Sequence, residues 1–488
     1  MDLSKIENFQ DAVVTVMGLG RYKQGSGLGA AKWLLRHGAQ TIITDLKNEE
    51  ELEESMNLVT EWYEKYRELY PDRTIYQPLF VLGEHREEDF TEVDVVVQNP
   101  GVPRESEFIV AAKKKGVAIE SDVSLFFRYC PYPIIAVTGT KGKTTTTKMI
   151  GEMLELEDEK AVIAGNIKVS PLENLDEILK RGEPTLVVLE LSSWLLESLP
   201  GAFETMQKGP DISVLTNVYP DHLNRYDSYG DYISSKEIIF QHQSADQFTI
   251  LNWDHETVRA MGVEVTGKLF WCSRTYQEEN GCYVNGDKIV MRRDGKDEEI
   301  LPVAEVALKG EHNVENILTS ICAARLRGVS LPTVQKILRE FKGVSDRQEL
   351  VREVDEISYI NDTTATNPTA VIAALKHFGD DKDVVLIAGG MNKVNEDTDY
   401  DELVEEIVLA AKHVILFEGT ASDHIEKKID GRVPVEKGIK TMKDAVQKAH
   451  TASVKGDIVL LSPGGSSFNL FKNEFDRGEQ FREEVRNL

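Results

Sequence analysis

One short stretch restricts the possible folds more than any other. Residues 138–144 read Thr-Gly-Thr-Lys-Gly-Lys-Thr, between an apolar run at 134–137 (Ile-Ile-Ala-Val) and a segment of helical character beginning near Thr144. Strand, glycine turn and helix in immediate succession predict a βα unit whose loop curls its backbone N–H groups around phosphate oxygens, with the helix N-terminus adding partial positive charge. The glycines stand one residue closer than in the longer G-x-x-x-x-G-K-[ST] loop, but the physics is unchanged. Gly139, Thr140, Lys141, Gly142 and Thr145 line the turn, Lys143 reaches the outer phosphates of ATP, and the Thr144 hydroxyl is suited to Mg²⁺. A structural turn carrying Gly-Lys-Thr by accident is the weaker explanation, because strand and helix flank it as the chemistry requires.

The rest of the chain repeats this alternation. Strands are expected at 13–17, 41–44, 94–98, 134–137, 185–189 and 212–216, then near 358–360, 384–387, 414–417 and 458–461, with amphipathic helices between them, among them 28–37 and 314–327. The class is α/β with mainly parallel sheets. A length of 488 residues exceeds one ordinary core, and the Tyr-Cys-Pro-Tyr-Pro segment at 129–133 and a break near 341–345 divide it into three candidate domains, 1–131, 132–343 and 344–488. Asn280-Gly281 and Asn285-Gly286 predict hairpins within the middle one. The acidic stretch 48–54 reads as a solvated helix face.

Net charge is −27, a surface that repels nucleic acid and anionic membrane. No window of about 18 apolar residues predicts a membrane span, and the N-terminal residues lack the pattern of a secretion signal. Four cysteines, Cys130, Cys272, Cys282 and Cys322, fit no metal-site spacing and read as reduced thiols of a cytoplasmic protein.

In parallel α/β sheets ligands gather at the carboxyl ends of strands. Three middle-domain strands end in chemically capable residues: the phosphate loop, Glu190 followed by Ser192 and Ser193, and Asp221-His222. Each alone is weak; together they predict a metal–phosphate site. In the first domain, Gly18 and Gly20 follow the first strand and Asp45 ends the second, which suits a diphosphate, either of a dinucleotide or of a UDP-sugar. In the third, residues 463–467 (Pro-Gly-Gly-Ser-Ser) precede a helical segment and can receive a carboxylate, while Lys393 offers a cation.

The motifs GTKGKTTTT (139–147), GNI (165–167), LELSS (189–193), TNVYPDHLNRY (216–226), SSK (234–236), GEHNVEN (310–316), DRQE (346–349) and NDTTATNP (361–368) occur in this order. Their set resembles the Mur ligases over essentially the whole chain, and within that family the branch that joins D-glutamate to UDP-N-acetylmuramoyl-L-alanine; addition of another amino acid, such as L-glutamate, is the near alternative. The resemblance implies a Rossmann-like UDP-binding domain, a central ATPase-type domain and a Rossmann-like C-terminal domain, acting as a monomer on small-molecule substrates, with ATP and two Mg²⁺ ions as cofactors. It implies that Thr144 and Glu190 hold one Mg²⁺ and that His222 and Lys236 serve a second, with Lys236 carbamoylated. It further implies that Asn313, Arg347 and Asp362 contact ATP. Gly18, Gly20, Asp45, Lys47, Gly101, Asn166 and Ser192 would contact the UDP-substrate together with His222, and Thr366, Lys393 and Ser467 the incoming glutamate. From the residues alone Lys236 reads as an exposed helix lysine.

The chain departs from the family pattern in the Tyr22–Gly27 insertion of the first loop, in Lys168, in Asp346 where a His is usual, in Thr364 where a Lys is usual, and in Phe475, displaced by one position. Two readings of another class compete: a P-loop switch that hydrolyses ATP without an acceptor, and a nucleotide-sugar dehydrogenase or binding protein.

Overall fold

Strands buried on both faces need continuous aliphatic runs rather than alternating ones, and the chain supplies three sets of them. The computed structural model describes residues 9–20, 25–103, 105–158, 161–165, 169–181, 185–206, 208–221, 225–379, 382–392 and 400–488. The first set is β1 (Val13–Met17), β2 (Gln40–Asp45), β3 (Leu79–Leu82), β4 (Val95–Gln98) and β5 (Ala118–Glu120), a parallel sheet in the order β3-β2-β1-β4-β5. The strand order reverses at β1, so the loops after β1 and β4 diverge and leave a crevice.

The second sheet contains β6 (Ile134–Thr138), β7 (Val162–Gly165), β8 (Val187–Glu190), β9 (Ile212–Leu215), β10 (Phe248–Asn252), β11 (Lys268–Ser273), β12 (Gly281–Asn285), β13 (Lys288–Arg293) and β14 (Lys296–Pro302). Its order is β14-β13-β12-β11-β10-β9-β6-β8-β7. Parallel pairing brings β9, β6, β8 and β7 to one edge with their C-terminal ends together.

The hairpin expectation holds at Asn285-Gly286, which joins antiparallel β12 and β13. It fails at Asn280-Gly281, because β11 and β12 run parallel. Gly281 serves a close approach instead: a Cβ there would lie 1.8 Å from the Trp271 carbonyl oxygen. The acidic stretch after Asn48 opens the helix Glu49–Leu69, where Asn48 and Glu51 form a reciprocal capping box and Leu52 is buried.

The chain divides into two compact units, Met1–Phe341 and Lys342–Leu488. The first two sheets share a unit because their cores are continuous. Leu34, Leu35 and Phe126 belong to one buried cluster with Leu172, Leu175 and Ile178. Ion pairs from Lys32 to Glu173 and from Arg36 to Asp176 flank the contact. At its centre Asp122 is fully enclosed and accepts a hydrogen bond from Ser170 Oγ at 2.8 Å.

The second unit holds β15 (Glu349–Val354), β16 (Ile357–Asn361), β17 (Val384–Gly389), β18 (Ala411–Phe417), β19 (Val435–Ile439) and β20 (Ile458–Gly464), in the order β15-β16-β20-β17-β18-β19. Among the described strands of this unit only the edge strand β15 runs antiparallel, and its exposed alternation hides it from a search for apolar runs.

Candidate functional site

The loop after β6 is shaped by its glycines. Gly139 and Gly142 have φ of +148° and +81°; a Cβ on Gly139 would meet Thr216 Oγ1 at 2.0 Å, and one on Gly142 would meet Asn316 Oδ1 at 2.1 Å. The segment after β9 pins the loop from the side. Thr140 N–H donates to the Asn217 carbonyl and Lys141 N–H to Asn217 Oδ1, both at 2.8 Å, while Thr216 Oγ1 donates to the Lys141 carbonyl at 2.6 Å. The helix Lys143–Asp158 starts directly from this turn, and its first-turn N–H groups have no acceptors within the helix.

Two lysine amino groups converge on the same carbonyl. Lys143 Nζ donates to Gly139 O at 2.9 Å and to Thr140 O at 3.0 Å, and Lys236 Nζ donates to Gly139 O at 3.0 Å. Lys236 is 1% exposed, which overturns the sequence expectation of a solvated lysine. Its helix, Tyr229–Gln241, buries Tyr232, Ser235, Lys236, Ile239 and Phe240. That is one i, i+3, i+4, i+7, i+8 face, so the spacing itself carried the signal. Burial, reinforced by the neighbouring Lys143 charge and opposed by Asp221, holds the Lys236 pKa well below the usual lysine range.

Glu190, 1% exposed, ends β8 directly beside Val137 of β6. Gly165 opposes it from β7, where a Cβ would lie 2.3 Å from the Glu190 carbonyl oxygen. Thr138 Oγ1 locks the same edge by donating to Leu191 O at 2.7 Å. Ser192 caps the short helix that follows. The phosphate loop, Glu190, Asp221 and Lys236 are thus brought to one sheet edge. Asn313 is half-buried on the helix Glu311–Leu326, three residues before the Asn316 that abuts Gly142. Among the described residues no cluster of three or more His, Cys, Asp or Glu side chains is placed to hold a metal by itself. A Thr hydroxyl and a buried carboxylate beside a phosphate cradle fit Mg²⁺, which binds through one or two protein oxygens plus substrate phosphates and waters. His222, Asn166 and Lys393 lie outside the described residues.

The first glycine loop is built differently. Asp45 Oδ2 accepts the N–H groups of Leu19 (3.0 Å) and Gly20 (3.3 Å), and Oδ1 accepts Lys47 N–H at 3.0 Å. Asn99 Nδ2 donates to Gly18 O at 3.1 Å while its Oδ1 accepts Gly101 N–H at 3.1 Å. Gly18, Gly20, Asp45, Lys47 and Gly101 are therefore neighbours, but the amides that a diphosphate would need are engaged by a carboxylate. Beside them a cavity of about 320 Å³ is lined by Asn99, Pro100, Trp194, Glu197 and Arg225. The Arg225 guanidinium lies 4.4 Å from the Trp194 ring centroid and pairs with Glu197 at 3.3 Å. Sequence reasoning assigned nothing to Asn99, Trp194 or Arg225; Arg225 sits in the quoted TNVYPDHLNRY motif, which was the available signal.

In the second unit, β16, β20 and β17 are parallel neighbours, so the loops at 362–366, 465–467 and 390–392 share an edge. Gly464 N–H donates to Ala365 O, and Met391 and Ser466 exchange backbone hydrogen bonds at 3.0 and 2.8 Å. Thr366 and Ser467 lie on adjacent loops. Ser467 Oγ is buried without a hydrogen-bond partner among the described residues, an arrangement that costs free energy unless a ligand uses it. Arg347 is exposed at a turn between Asp346 and Gln348, both with positive φ. Asp362 accepts Gln348 N–H at 3.3 Å and the Ser462 hydroxyl at 2.8 Å. Two of the three family departures in this unit touch each other: Thr364 donates through its N–H (3.2 Å) and its hydroxyl (2.9 Å) to the Asp346 carbonyl.

Comparison with known proteins matches the Mur ligase middle domain to residues 137–324 and the Mur ligase glutamate ligase domain to residues 346–465. The chain is 40% identical over 479 residues to a UDP-N-acetylmuramoylalanine–D-glutamate ligase of Roseiflexus sp. (strain RS-1), covering 96% of this chain and 97% of that one. It is 34% identical over 478 residues to the enzyme of that name from Clostridioides difficile (strain 630), covering 97% and 98%. Among solved structures, the UDP-N-acetylmuramate-alanine ligase MurC of Thermotoga maritima superposes with a TM-score of 0.57 at 19% identity, covering 98% of this chain and 99% of that one. The MurF ligase of the same organism, solved with ADP, gives 0.53 at 16%, covering 99% and 96%. These two likenesses are of fold.

Proposed function

The chain belongs to the Mur ligase family, and from that premise we propose that it joins D-glutamate to UDP-N-acetylmuramoyl-L-alanine in an ATP-driven step of peptidoglycan precursor synthesis. The observation that carries this reading is the convergence of Lys143, Lys236 and Glu190 on the phosphate loop, at a sheet edge built for a polyanion.

A carboxylate is a poor electrophile with a poor leaving group. Transfer of the γ-phosphoryl group from ATP to the substrate carboxylate gives an acyl phosphate and ADP. The glutamate amine, once deprotonated, attacks the acyl carbon, and the tetrahedral intermediate expels inorganic phosphate to leave the amide. Negative charge gathers on phosphoryl oxygens in both steps, so fixed cations and backbone donors stabilise both transition states. Residues 139–145 would cradle the phosphates, with Lys143 leaving its loop carbonyls to neutralise the transferring group. Asn313, Arg347 and Asp362 are further proposed ATP contacts.

Thr144 and Glu190 would hold one Mg²⁺ and His222 and Lys236 a second. Bound there, Mg²⁺ would neutralise phosphate charge as a Lewis acid. Burial that favours the neutral amine of Lys236 supports carbamoylation: the amine adds carbon dioxide and releases a proton, leaving an anionic oxygen donor. Asp45, Lys47, Gly18, Gly20 and Gly101, with Asn166, Ser192 and His222, would take the UDP-substrate. Because Asp45 already fills the Leu19 and Gly20 amides, this loop suits the hydrogen-bonding edge of a ring better than a diphosphate. Thr366, Lys393 and Ser467 would take the glutamate. The domain limits 1–131, 132–343 and 344–488 belong to the same proposal.

ADP release tests the reading. With UDP-N-acetylmuramoyl-L-alanine present, release should require D-glutamate and fail with L-glutamate, with diamines and without an acceptor. Acceptor-independent release would support a nucleotide switch, and release with another amino acid alone would reject the glutamate assignment.

A further inference from the structure

The largest fully buried side chain of the second unit is a cation. Arg477, 1% exposed, sits on the helix Glu474–Arg486, whose buried face is Arg477, Gly478, Phe481 and Val485. Among the described residues no carboxylate pairs with it. Its donors go instead to two loops. Nε donates to Thr363 Oγ1 at 3.0 Å, one terminal nitrogen donates to Thr363 O at 2.8 Å, and the other donates to Gly465 O at 3.3 Å. Thr363 Oγ1 in turn donates to Glu474 O at 2.8 Å.

The neighbouring glycine makes this reach possible. A Cβ on Gly478 would lie 2.2 Å from Asp346 Oδ1 and 2.7 Å from Thr363 Cγ2, so only glycine lets the helix approach the 361–366 loop this closely. Burial without an ion-pair partner draws the guanidinium down to about 10, with Glu474 opposing the fall, so it remains charged at neutral pH. A buried, uncompensated charge is costly to a fold. This one lies directly behind two loops that each carry a residue assigned to the acceptor. Thr366 follows Thr363 by three positions. Ser467, whose hydroxyl has no partner among the described residues, follows Gly465 by two. Through the Gly465–Ser466 peptide the contact continues to Met391, whose carbonyl accepts Ser466 N–H at 2.8 Å.

We propose that Arg477 is a positioning and specificity-determining residue for the amino-acid acceptor: from behind, it fixes the 361–366 and 463–467 loops in register and supplies the positive field that favours an acceptor carrying a side-chain carboxylate. This rests on the assignment of Thr366 and Ser467 to the acceptor site.

Steady-state ADP release by the full-length enzyme tests it, comparing wild type with Arg477→Lys, Arg477→Met and Ser467→Ala, each checked by thermal melting. Arg477→Met should raise KM for D-glutamate about 30-fold, the loss of charged hydrogen bonds from a buried site. It should leave KM for ATP and for UDP-N-acetylmuramoyl-L-alanine within about twofold, and reduce the preference for glutamate over glutamine as acceptor about tenfold. Arg477→Lys keeps the charge and loses the fork; it should raise the glutamate KM about fivefold with the preference retained. If the Met variant does not fold, the Lys variant decides. A folded Lys variant with the wild-type glutamate KM, or variants in which all three KM values rise together, would overturn the proposal. Raised glutamate KM in Ser467→Ala with unchanged Arg477 variants would reject Arg477 alone. Unchanged values in all three would reject the acceptor-site reading as well.

Discussion

Two strand–glycine–helix turns lie in the first unit, and their electrostatics are opposite. At residues 18–20 the loop amides are satisfied from within by the Asp45 carboxylate. At residues 139–142 the loop carbonyls are covered by the Lys143 ammonium and the buried Lys236 amino group. The first turn has consumed its own positive dipole, and the second has collected more. Glycine spacing alone therefore says little about what a turn binds; the charged side chain that folds back onto it decides.

The contrast can be broken at its strongest point. Lys143→Ala should lower ATP-dependent ligation roughly a thousandfold, because it removes the cation proposed to neutralise the transferring phosphoryl group. The melting temperature should change far less than activity, since the Lys143 side chain is only half-buried. Normal turnover would end the assignment of this loop.

The first turn should respond in the other substrate. Asp45→Ala strips the acceptor from the Leu19, Gly20 and Lys47 amides, at a cost of about 2 kcal/mol in stability. We expect the KM for UDP-N-acetylmuramoyl-L-alanine to rise at least about tenfold, with the ATP KM unchanged. A rise in the ATP KM alone would exchange the roles of the two turns.

Paired glycine substitutions sharpen the comparison further. Gly27→Ala places a Cβ 2.1 Å from Gly18 O, and Gly142→Ala strains a residue at φ +81° against Asn316. Each should cost about 1–3 kcal/mol, the former raising only the UDP-substrate KM and the latter only the ATP KM.

The smallest effect concerns the joint between the sheets. Asp122 is enclosed, and burial raises its pKa against the hydrogen bonds from Ser170 and Ser26. The folded state therefore holds the proton more tightly than the unfolded state. The stability this contributes is full below the ordinary aspartate range and is lost as pH rises through the folded value. Asp122→Asn, permanently neutral, should gain in melting temperature relative to wild type as pH is raised above that range. A gap that does not vary with pH would contradict the burial argument.

Much of this was legible in the sequence, for physical reasons. Val13–Met17 is apolar except for Thr15 and was read to the residue; the phosphate loop follows from three residue types in fixed order. The burial of Lys236 and of Arg477 went unread for one shared reason. Each is a charged residue on an otherwise apolar helical face, and charge suggests solvent when read one residue at a time, whereas helical spacing places both in the interior. Asn280-Gly281 misled because a glycine that permits two backbones to approach has the same letters as one that turns a hairpin. The Asp45 clamp could not be read at all, since it depends on strand β2 ending level with the loop after β1.

One measurement bears most directly on the two-turn account: a crystal structure with a non-hydrolysable ATP analogue, Mg²⁺ and UDP-N-acetylmuramoyl-L-alanine bound together. We expect the triphosphate on residues 139–144, with Lys143 Nζ turned from Gly139 O to the outer phosphate, and the uridine against Asp45. A triphosphate seated on residues 18–20, or a Lys143 that keeps its loop carbonyls while ATP binds elsewhere, would contradict it.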